Sequence, residues 1–222
     1  MPLFDSIVHA LGTAGTGGFG IKADSIASYS HFCQWVITVF MLLFGVSFNM
    51  YYLLLIKRWR EVLKSNELKC YLGISLAAMI IVVLSIMPLY GSIADAVRLS
   101  AFQVSSIVTT TGYATADFDA WPSLAKAVLL ILMFFGGCMG STAGGLKMSR
   151  VTVLAQIARN DLRHALRPRE VSTVILNGRR VDAQGERQIL SYFALYIAVI
   201  GAVFLLISFE PVSYTHLTLP TT

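Results

Sequence analysis

The residues of this sequence best suited to chemistry form a run of small, hydroxyl-bearing side chains over residues 105–115. The run reads Ser-Ser-Ile-Val-Thr-Thr-Thr-Gly-Tyr-Ala-Thr and lies between two long apolar segments. It is too polar to face lipid, and it lacks the charges of an ordinary surface loop. Irregular backbone at membrane depth is tolerated only where it is buried in protein or lines a water-filled path. The run is therefore a candidate pore lining that offers oxygen atoms to a solute.

The composition places this run in a membrane protein. Of the 222 residues, 56% are hydrophobic and 13% are charged, whereas soluble domains carry about 25% charged residues. The three cysteines, Cys33, Cys70 and Cys138, show neither a disulfide framework nor metal-ligand spacing. The sequence carries no motif of a catalytic nucleophile or a metal cluster, so we expect a protein that is not an enzyme.

Four apolar segments are long enough to cross a bilayer core about 30 Å thick. They cover residues 32–56, 71–90, 124–146 and 189–209. Two shorter segments, residues 1–11 and 92–108, fit half-helices that enter the membrane and return. Five glycines interrupt the end of the third span, which predicts an unwound or kinked segment or very close helix packing.

The basic residues predict how the chain is oriented. Residues 57–69 hold five Lys or Arg and residues 147–187 hold nine, together fourteen of the seventeen in the chain. The positive-inside rule places both stretches in the cytoplasm. Because this distribution follows the membrane and leaves no separate basic surface, we expect no nucleic-acid partner. The sequence predicts a multi-pass protein of the inner (cytoplasmic) membrane, in contact with lipid.

Two short loops share the order hydroxyl residue, glycine, aromatic residue. They read Thr16-Gly17-Gly18-Phe19 and Thr110-Thr111-Gly112-Tyr113, and each lies between a half-helix and a long span. Backbone carbonyls of an extended loop replace the water of a passing cation without a fixed charge that would trap it. Successive carbonyls point the same way only at backbone angles that favour glycine. The loops are therefore candidate filter strands, with Gly18 and Gly112 at their centres.

These motifs resemble the membrane subunit of the Trk/Ktr/HKT superfamily of potassium transporters, and most of all its TrkH/TrkG branch. A third motif over residues 136–147 resembles the family's broken inner helix, whose loop lies below the filter and acts as a gate. The resemblance implies an all-α membrane protein of repeated helix, pore half-helix and helix units around one ion pore. It also implies potassium as the transported ion, held at Gly18 and Gly112, without a cofactor. The implied gate residues are Gly136, Gly137, Gly140, Ser141, Thr142, Gly144, Gly145 and Lys147.

The same resemblance divides the chain into four parts. Residues 1–70 would carry the half-helix, filter loop and inner helix of a second repeat, and residues 71–165 a complete third repeat. Residues 166–209 would form a basic cytoplasmic loop and the first helix of a fourth repeat. Residues 210–222 do not resemble the family, which predicts a fragment with a foreign tail. The family further implies a homodimer and a cytosolic nucleotide-binding regulatory subunit that contacts residues 159–187.

Each motif also has a simpler interpretation. The two Gly-aromatic loops could be tight turns between helices, and residues 136–145 could form a helix-packing face. Lys147 and Arg150 could stand at the cytoplasmic mouth or serve orientation alone. Asp117 and Asp119 could attract cations at the outer mouth or be ordinary interfacial acids. For the chain as a whole, the alternative to a channel-like pore is a sodium- or proton-coupled carrier with a midplane cation site.

Overall fold

A computed structural model describes residues 1–167 and 173–209, so the predicted foreign tail at 210–222 lies outside the described residues. One unit comprises Met1–Arg180, and a second begins at Val181. The helices of the first unit are α1 (Leu3–Ala14), α2 (His31–Phe44), α3 (Phe48–Leu55), α4 (Trp59–Lys64), α5 (Asn66–Tyr90), α6 (Ile93–Val108), α7 (Ser123–Leu132) and α8 (Met148–Leu166). A short 3₁₀ helix covers Phe118–Ala120, and strands β1 (Ile175–Leu176) and β2 (Arg179–Arg180) pair antiparallel. The second unit contains α9 (Ala183–Ser208).

Two of these helices are long and apolar enough to cross a membrane, and both have clear end signals. Helix α5 begins after Ser65, whose hydroxyl accepts a hydrogen bond from the amide of Leu68, and ends at Gly91 with a φ of +63°. Helix α9 begins after Asp182, whose carboxylate accepts one from the amide of Gly185. Such N-caps and a left-handed glycine at the C-terminus satisfy helix-end backbone groups. The predicted spans over residues 71–90 and 189–209 fall almost entirely within these helices.

The half-polar helix α6 lies at the centre of the first unit, packed against α2, α5 and α7. Eleven of its 16 residues are buried, among them Arg98, Gln103 and Ser106. By contrast, only 22% of the most apolar part of α5 is buried. Polar side chains of α6 therefore lie inside, while much of the apolar surface of α5 faces outward, as expected where lipid covers the surface. Helix α6 is the half-helix predicted over residues 92–108.

The apolar segment predicted as a span over residues 32–56 is broken into two helices, which together are long and apolar enough to cross a membrane. The segment divides into α2 and α3, whose axes differ by 89°. The last four carbonyls of a helix have no partner within it, and here other elements supply partners. The Tyr71 hydroxyl donates to the Leu42 carbonyl (3.0 Å), and the Cys138 amide donates to the Gly45 carbonyl (2.8 Å). Hydropathy predicts length and burial but not these partners, so it could not reveal the bend.

The predicted span over residues 124–146 is helical only through Leu132. Residues 133–147 are not helical, and the amide of Gly136 closes the base of this loop on the carbonyl of Leu146 (3.0 Å). The predicted unwinding is therefore present, and the helix-packing interpretation of residues 136–145 is wrong.

The first half-helix is longer than predicted, since α1 continues through Gly12 to Ala14. Glycine fits this last turn because a Cβ at Gly12 would lie 2.3 Å from the Tyr113 hydroxyl.

The hairpin of β1 and β2 was not predicted, although its turn carries a signal for it. Asn177 and Gly178 have φ of +49° and +79°, as the favoured Asn-Gly hairpin turn requires. The side-chain oxygen of Asn177 accepts hydrogen bonds from the Ser65 hydroxyl (3.3 Å) and the Asn66 amide (3.0 Å). The hairpin therefore helps to cap the start of α5.

Replacement of Tyr71 by phenylalanine tests whether its hydrogen bond to the Leu42 carbonyl stabilises the bend. Tyr71→Phe leaves the Leu42 carbonyl without its side-chain donor, and a buried group left unsatisfied costs about 1–3 kcal/mol. We expect a loss of that size in the free energy of unfolding, measured by denaturation in detergent micelles. Tyr52→Phe is the matched control, because Tyr52 is 61% exposed. Equal losses of unfolding free energy in the two variants would show that the Tyr71 hydroxyl does not stabilise the bend.

Candidate functional site

The loops that follow α1 and α6 have the same backbone conformation at equivalent positions. Thr16 and Thr110 have φ of +49° and +56°, and Gly18 and Gly112 have φ of +67° and +87°. The residue between them in each loop keeps a negative φ. In an extended chain of uniform handedness, successive residues face opposite sides. Alternating handedness instead brings successive carbonyls toward one side, which is the geometry a carbonyl filter needs.

The hydrogen bonds that join each loop to its half-helix also match. The amide of Gly17 donates to the carbonyl of Gly12, and the amide of Thr111 donates to that of Ser106, each at 2.8 Å and five residues back. The amide of the preceding residue donates to a carbonyl three residues back, Thr16 to Thr13 (3.2 Å) and Thr110 to Ile107 (3.0 Å). The repeat predicted from a four-residue pattern therefore extends into the ends of both half-helices.

Two direct contacts bring the loops together. The hydroxyl of Tyr113 donates to the carbonyl of Phe19 (2.9 Å), its counterpart in the first loop. A Cβ at Gly18 would lie 1.9 Å from the carbonyl oxygen of Thr111. The aromatic residues differ in burial, since Tyr113 is 1% exposed and Phe19 is 74% exposed. Tyr113 therefore holds the two loops together, a role that Phe19 does not share.

Serine and threonine hydroxyls fix the second loop to α6. The Ser106 hydroxyl donates to the carbonyl of Tyr113 (2.6 Å), and the Thr109 hydroxyl donates to the carbonyl of Ser105 (2.7 Å). The hydroxyls of Thr109 and Thr111 are 2.8 Å apart. The hydroxyl residues of this run are therefore partly structural supports, where the sequence predicted pore lining.

Tyr29, in the segment that follows the first loop, contacts α1. Its hydroxyl donates to a carboxylate oxygen of Asp5 (2.7 Å), and this hydrogen bond raises the pKa of Tyr29 to about 12. The Lys22 ammonium lies 4.4 Å from the centre of the Tyr29 ring. Tyr29 therefore remains a neutral donor over the physiological pH range.

The glycine-rich loop over residues 136–145 folds back on itself through contacts that leave no room for side chains. A Cβ at Gly136 would lie 1.9 Å from the carbonyl oxygen of Gly144, and Gly140 and Gly145 have φ of +77° and +68°. The Ser141 hydroxyl donates to the carbonyl of Cys138 (2.6 Å). The glycines are therefore required by the fold of the loop itself.

The same loop is bonded to the bend between α2 and α3. A Cβ at Gly137 would lie 2.7 Å from the carbonyl oxygen of Gly45, and the amide of Phe48 donates to the carbonyl of Gly140 (3.0 Å). The hydroxyl of Thr142 donates to the carbonyl of Phe44 (3.4 Å). Both breaks therefore belong to one hydrogen-bonded structure.

The loop also contacts both candidate filter strands. The hydroxyl of Thr16 donates to the carbonyl of Thr142 (3.0 Å), and the hydroxyl of Thr110 accepts from the amide of Gly144 (2.7 Å). The structure therefore brings the predicted filter and gate residues together.

Glu67, near the start of α5, was missed by the sequence reasoning. It is 4% exposed, and one carboxylate oxygen accepts hydrogen bonds from the amides of Met139 and Ser149 (3.1 Å for Ser149). Ser149 lies in the first turn of α8, where a negative charge is favourable. Glu67 therefore fixes the loop and the following helix from one side. Its only sequence signal is an acid that stands a few residues before an apolar span, within the basic stretch over residues 57–69.

The remaining predicted residues lie around these loops. The ammonium of Lys147 donates to the carbonyl of Ala143, and Arg150 lies in the first turn of α8. Asp117 and Asp119 are exposed, and the carboxylate of Asp117 accepts from the amide of Asp119 (3.0 Å). The contact between these two residues caps the 3₁₀ helix.

Comparisons with known proteins assign the chain to a family. The helix-rich fold with apolar spanning helices defines a membrane protein. Residues 1–219 match the TrkH family, described as cation transport protein, and the chain belongs to that family. This confirms the resemblance drawn from the two Gly-aromatic loops and the glycine-rich motif. The match extends to residue 219, so the prediction that the segment from residue 210 does not resemble the family is wrong for most of that segment.

Individual relatives show how far the similarity extends. The chain is 31% identical to the Trk system potassium uptake protein TrkG of Escherichia coli, over 98% of the chain and 45% of that protein. It is 30% identical to the potassium uptake protein TrkH of Salmonella typhimurium, over 90% of the chain and 42% of that protein. The crystal structure of the potassium transporter TrkH from Vibrio parahaemolyticus matches with a TM-score of 0.86 at 28% identity, over 92% of the chain and 45% of that structure. The chain therefore spans less than half the length of these relatives.

The two central glycines offer a matched test of the contact between the loops. Both Gly18→Ala and Gly112→Ala place a side chain at a left-handed position, but only the first substitution would make a methyl group overlap a backbone oxygen. Around Gly112, no heavy atom of the described residues lies within 4 Å of the added Cβ, apart from Gly112 itself and its two chain neighbours. Overpacking costs about 1–3 kcal/mol, so Gly18→Ala should lower the free energy of unfolding by that much more than Gly112→Ala does. Equal losses, measured side by side in micelles, would contradict the contact between Gly18 and Thr111.

Proposed function

We propose that this chain supplies two neighbouring strands of a potassium filter and the loop that gates it, as part of a channel-like potassium-uptake pore. The observation that carries the proposal is the matched backbone of the two loops, each with alternating handedness at the end of a half-helix. Its relatives TrkG and TrkH, which are named as potassium uptake proteins, support the choice of ion.

In the proposed filter, carbonyl oxygens of residues 16–18 and 110–112 replace the water that potassium sheds. Uncharged oxygens suit conduction, because an ion must leave each position as readily as it enters. Helices α1 and α6 end at Ala14 and Val108, immediately before the strands. The negative ends of their dipoles would stabilise a cation at the strands.

In the proposed gate, residues 136–145 form a barrier on the cytoplasmic side of the filter. The hydrogen bonds from Thr16 and Thr110 hold the loop against both strands, and Glu67 holds it from α5. Lys147, at the start of α8, would stand at the cytoplasmic mouth. Because the loop itself is non-helical and rich in glycine, it can change conformation more easily than a helix can.

The remaining assignments follow from charge and from the family. The basic stretches over residues 57–69 and 147–187 would face the cytoplasm, with the protein spanning the inner membrane several times. A homodimer and a cytosolic nucleotide-binding regulatory subunit that contacts residues 159–187 complete the proposal. A carrier with a midplane site is less favoured, because the half-helix and Gly-aromatic loop occur twice with the same backbone.

Selectivity tests the filter assignment. In an assembled pore that contains this chain, Gly112→Ser places a side chain at a φ of +87° and disturbs the direction of the neighbouring carbonyls. We expect a lower ratio of rubidium to sodium uptake, measured with radioactive tracers. Gly73→Ser, in α5, is the matched control and should leave the ratio unchanged. An unchanged ratio in Gly112→Ser would remove Gly112 from the filter.

Deletion tests the gate assignment. Removal of residues 140–144 takes away the proposed barrier, so ion flux per transporter should rise while membrane expression stays equal. Flux should be measured in the same tracer assay and normalised to the protein in the membrane. Unchanged or lower flux in a well-expressed variant would count against a gate.

A further inference from the structure

We propose that the hydroxyl groups of Thr16 and Thr110 latch the glycine-rich loop to the filter strands, so that the gate and the filter change conformation together. The proposal rests on the proposed function and adds a positioning role for two side chains that the sequence identified only as filter flanks.

The backbone of both threonines is the first observation that supports the latch. A left-handed φ is easiest for glycine, and a β-branched residue there is an outlier. Each loop does place glycine at its second left-handed position, Gly18 or Gly112, but threonine at its first. Strained positions of this kind point to a role for the side chain that occupies them.

The partners of the two hydroxyls are the second observation. Thr16 belongs to the loop after α1 and Thr110 to the loop after α6, yet both reach the same three-residue stretch. Their roles are complementary, since Thr16 donates to the carbonyl of Thr142 and Thr110 accepts from the amide of Gly144. The Thr16 hydroxyl shares its proton with the carbonyl of Gly15 (2.8 Å). A Cβ at Gly144 would lie 3.1 Å from the Thr110 hydroxyl oxygen, so glycine allows this close approach.

The latch makes the two conformations depend on each other. When the loop moves away, Thr110 loses its hydrogen bond to the Gly144 amide, and Thr16 loses the Thr142 carbonyl and is left with the Gly15 carbonyl (2.8 Å) as its acceptor. The strands then lose part of what holds their handedness. Conversely, strands fixed by a bound ion keep both hydroxyls in place to hold the loop. Such coupling is reciprocal because it is a free energy shared by the two sites.

Hydrogen exchange of the Gly144 amide tests the latch directly. The chain, labelled with ¹⁵N-glycine in lipid nanodiscs, reports this amide by NMR without any ion transport. Thr110→Val keeps the shape and removes the acceptor, so exchange at Gly144 should be about tenfold faster, as expected for one hydrogen bond. Thr110→Ser restores the hydroxyl and should exchange at the wild-type rate. The Thr16 hydroxyl donates to the carbonyl of Thr142 and does not touch the Gly144 amide directly. Thr16→Val should therefore increase the exchange rate at Gly144 by less, and Thr16→Ser should restore the wild-type rate.

The Gly73 amide in α5 serves as the internal control for folding. Unchanged exchange at Gly144 in Thr110→Val, or equally fast exchange in Thr110→Ser, would overturn the latch. If Thr110→Val also speeds exchange at Gly73, the substitution has disturbed the fold, and the comparison of Thr16→Val with Thr16→Ser tests the latch instead. Faster exchange at Gly144 in Thr16→Val but not in Thr16→Ser supports the latch, and equal rates overturn it. Failure of the filter assignment would instead appear in the rubidium-to-sodium ratio and leave the exchange result standing.

Discussion

Where a helix is interrupted inside a membrane, its free backbone N–H and C=O groups must find hydrogen-bond partners within the protein. In this chain, the bend between α2 and α3 and the glycine-rich loop supply partners for each other. The Cys138 amide donates to the Gly45 carbonyl, and the Phe48 amide donates to the Gly140 carbonyl. Neither the bend between α2 and α3 nor the glycine-rich loop would be satisfied alone. Because the loop also bonds to Thr16 and Thr110, the same constraint extends to the two Gly-aromatic loops.

The placement of polar residues follows from this constraint. Helix α6 is buried although it carries Arg98, Gln103 and several serines, and its serines hold the loop that follows it. Many large apolar side chains, including much of α5, face outward, where lipid would solvate them. The loops are therefore supported mainly by hydroxyl and backbone hydrogen bonds, which impose direction as well as contact. Directional support of this kind is what a set of aligned carbonyls requires.

Much of this arrangement could be predicted from local sequence, because half-polar helices and glycine runs have few alternatives in a membrane. The half-helix over residues 92–108, the interruption near Gly136 and the TrkH family were all predicted. The bend at residues 45–47 and the role of Glu67 were not, since their partners lie far away in sequence. The left-handed threonines were missed because propensity points to glycine. The hairpin turn at Asn177-Gly178 could have been predicted, because Asn-Gly is the favoured sequence for a two-residue hairpin turn.

In the proposed filter, a cation is coordinated by backbone carbonyls of the two matched loops. Anomalous diffraction from rubidium-soaked crystals of an assembled pore containing this chain tests it most directly. We expect rubidium peaks within coordinating distance of the carbonyl oxygens of residues 16–18 and 110–112, with carbonyl oxygens from both loops around the same ion. Peaks only beside carboxylates such as Glu67, Asp117 or Asp119, with none between the loops, would contradict it.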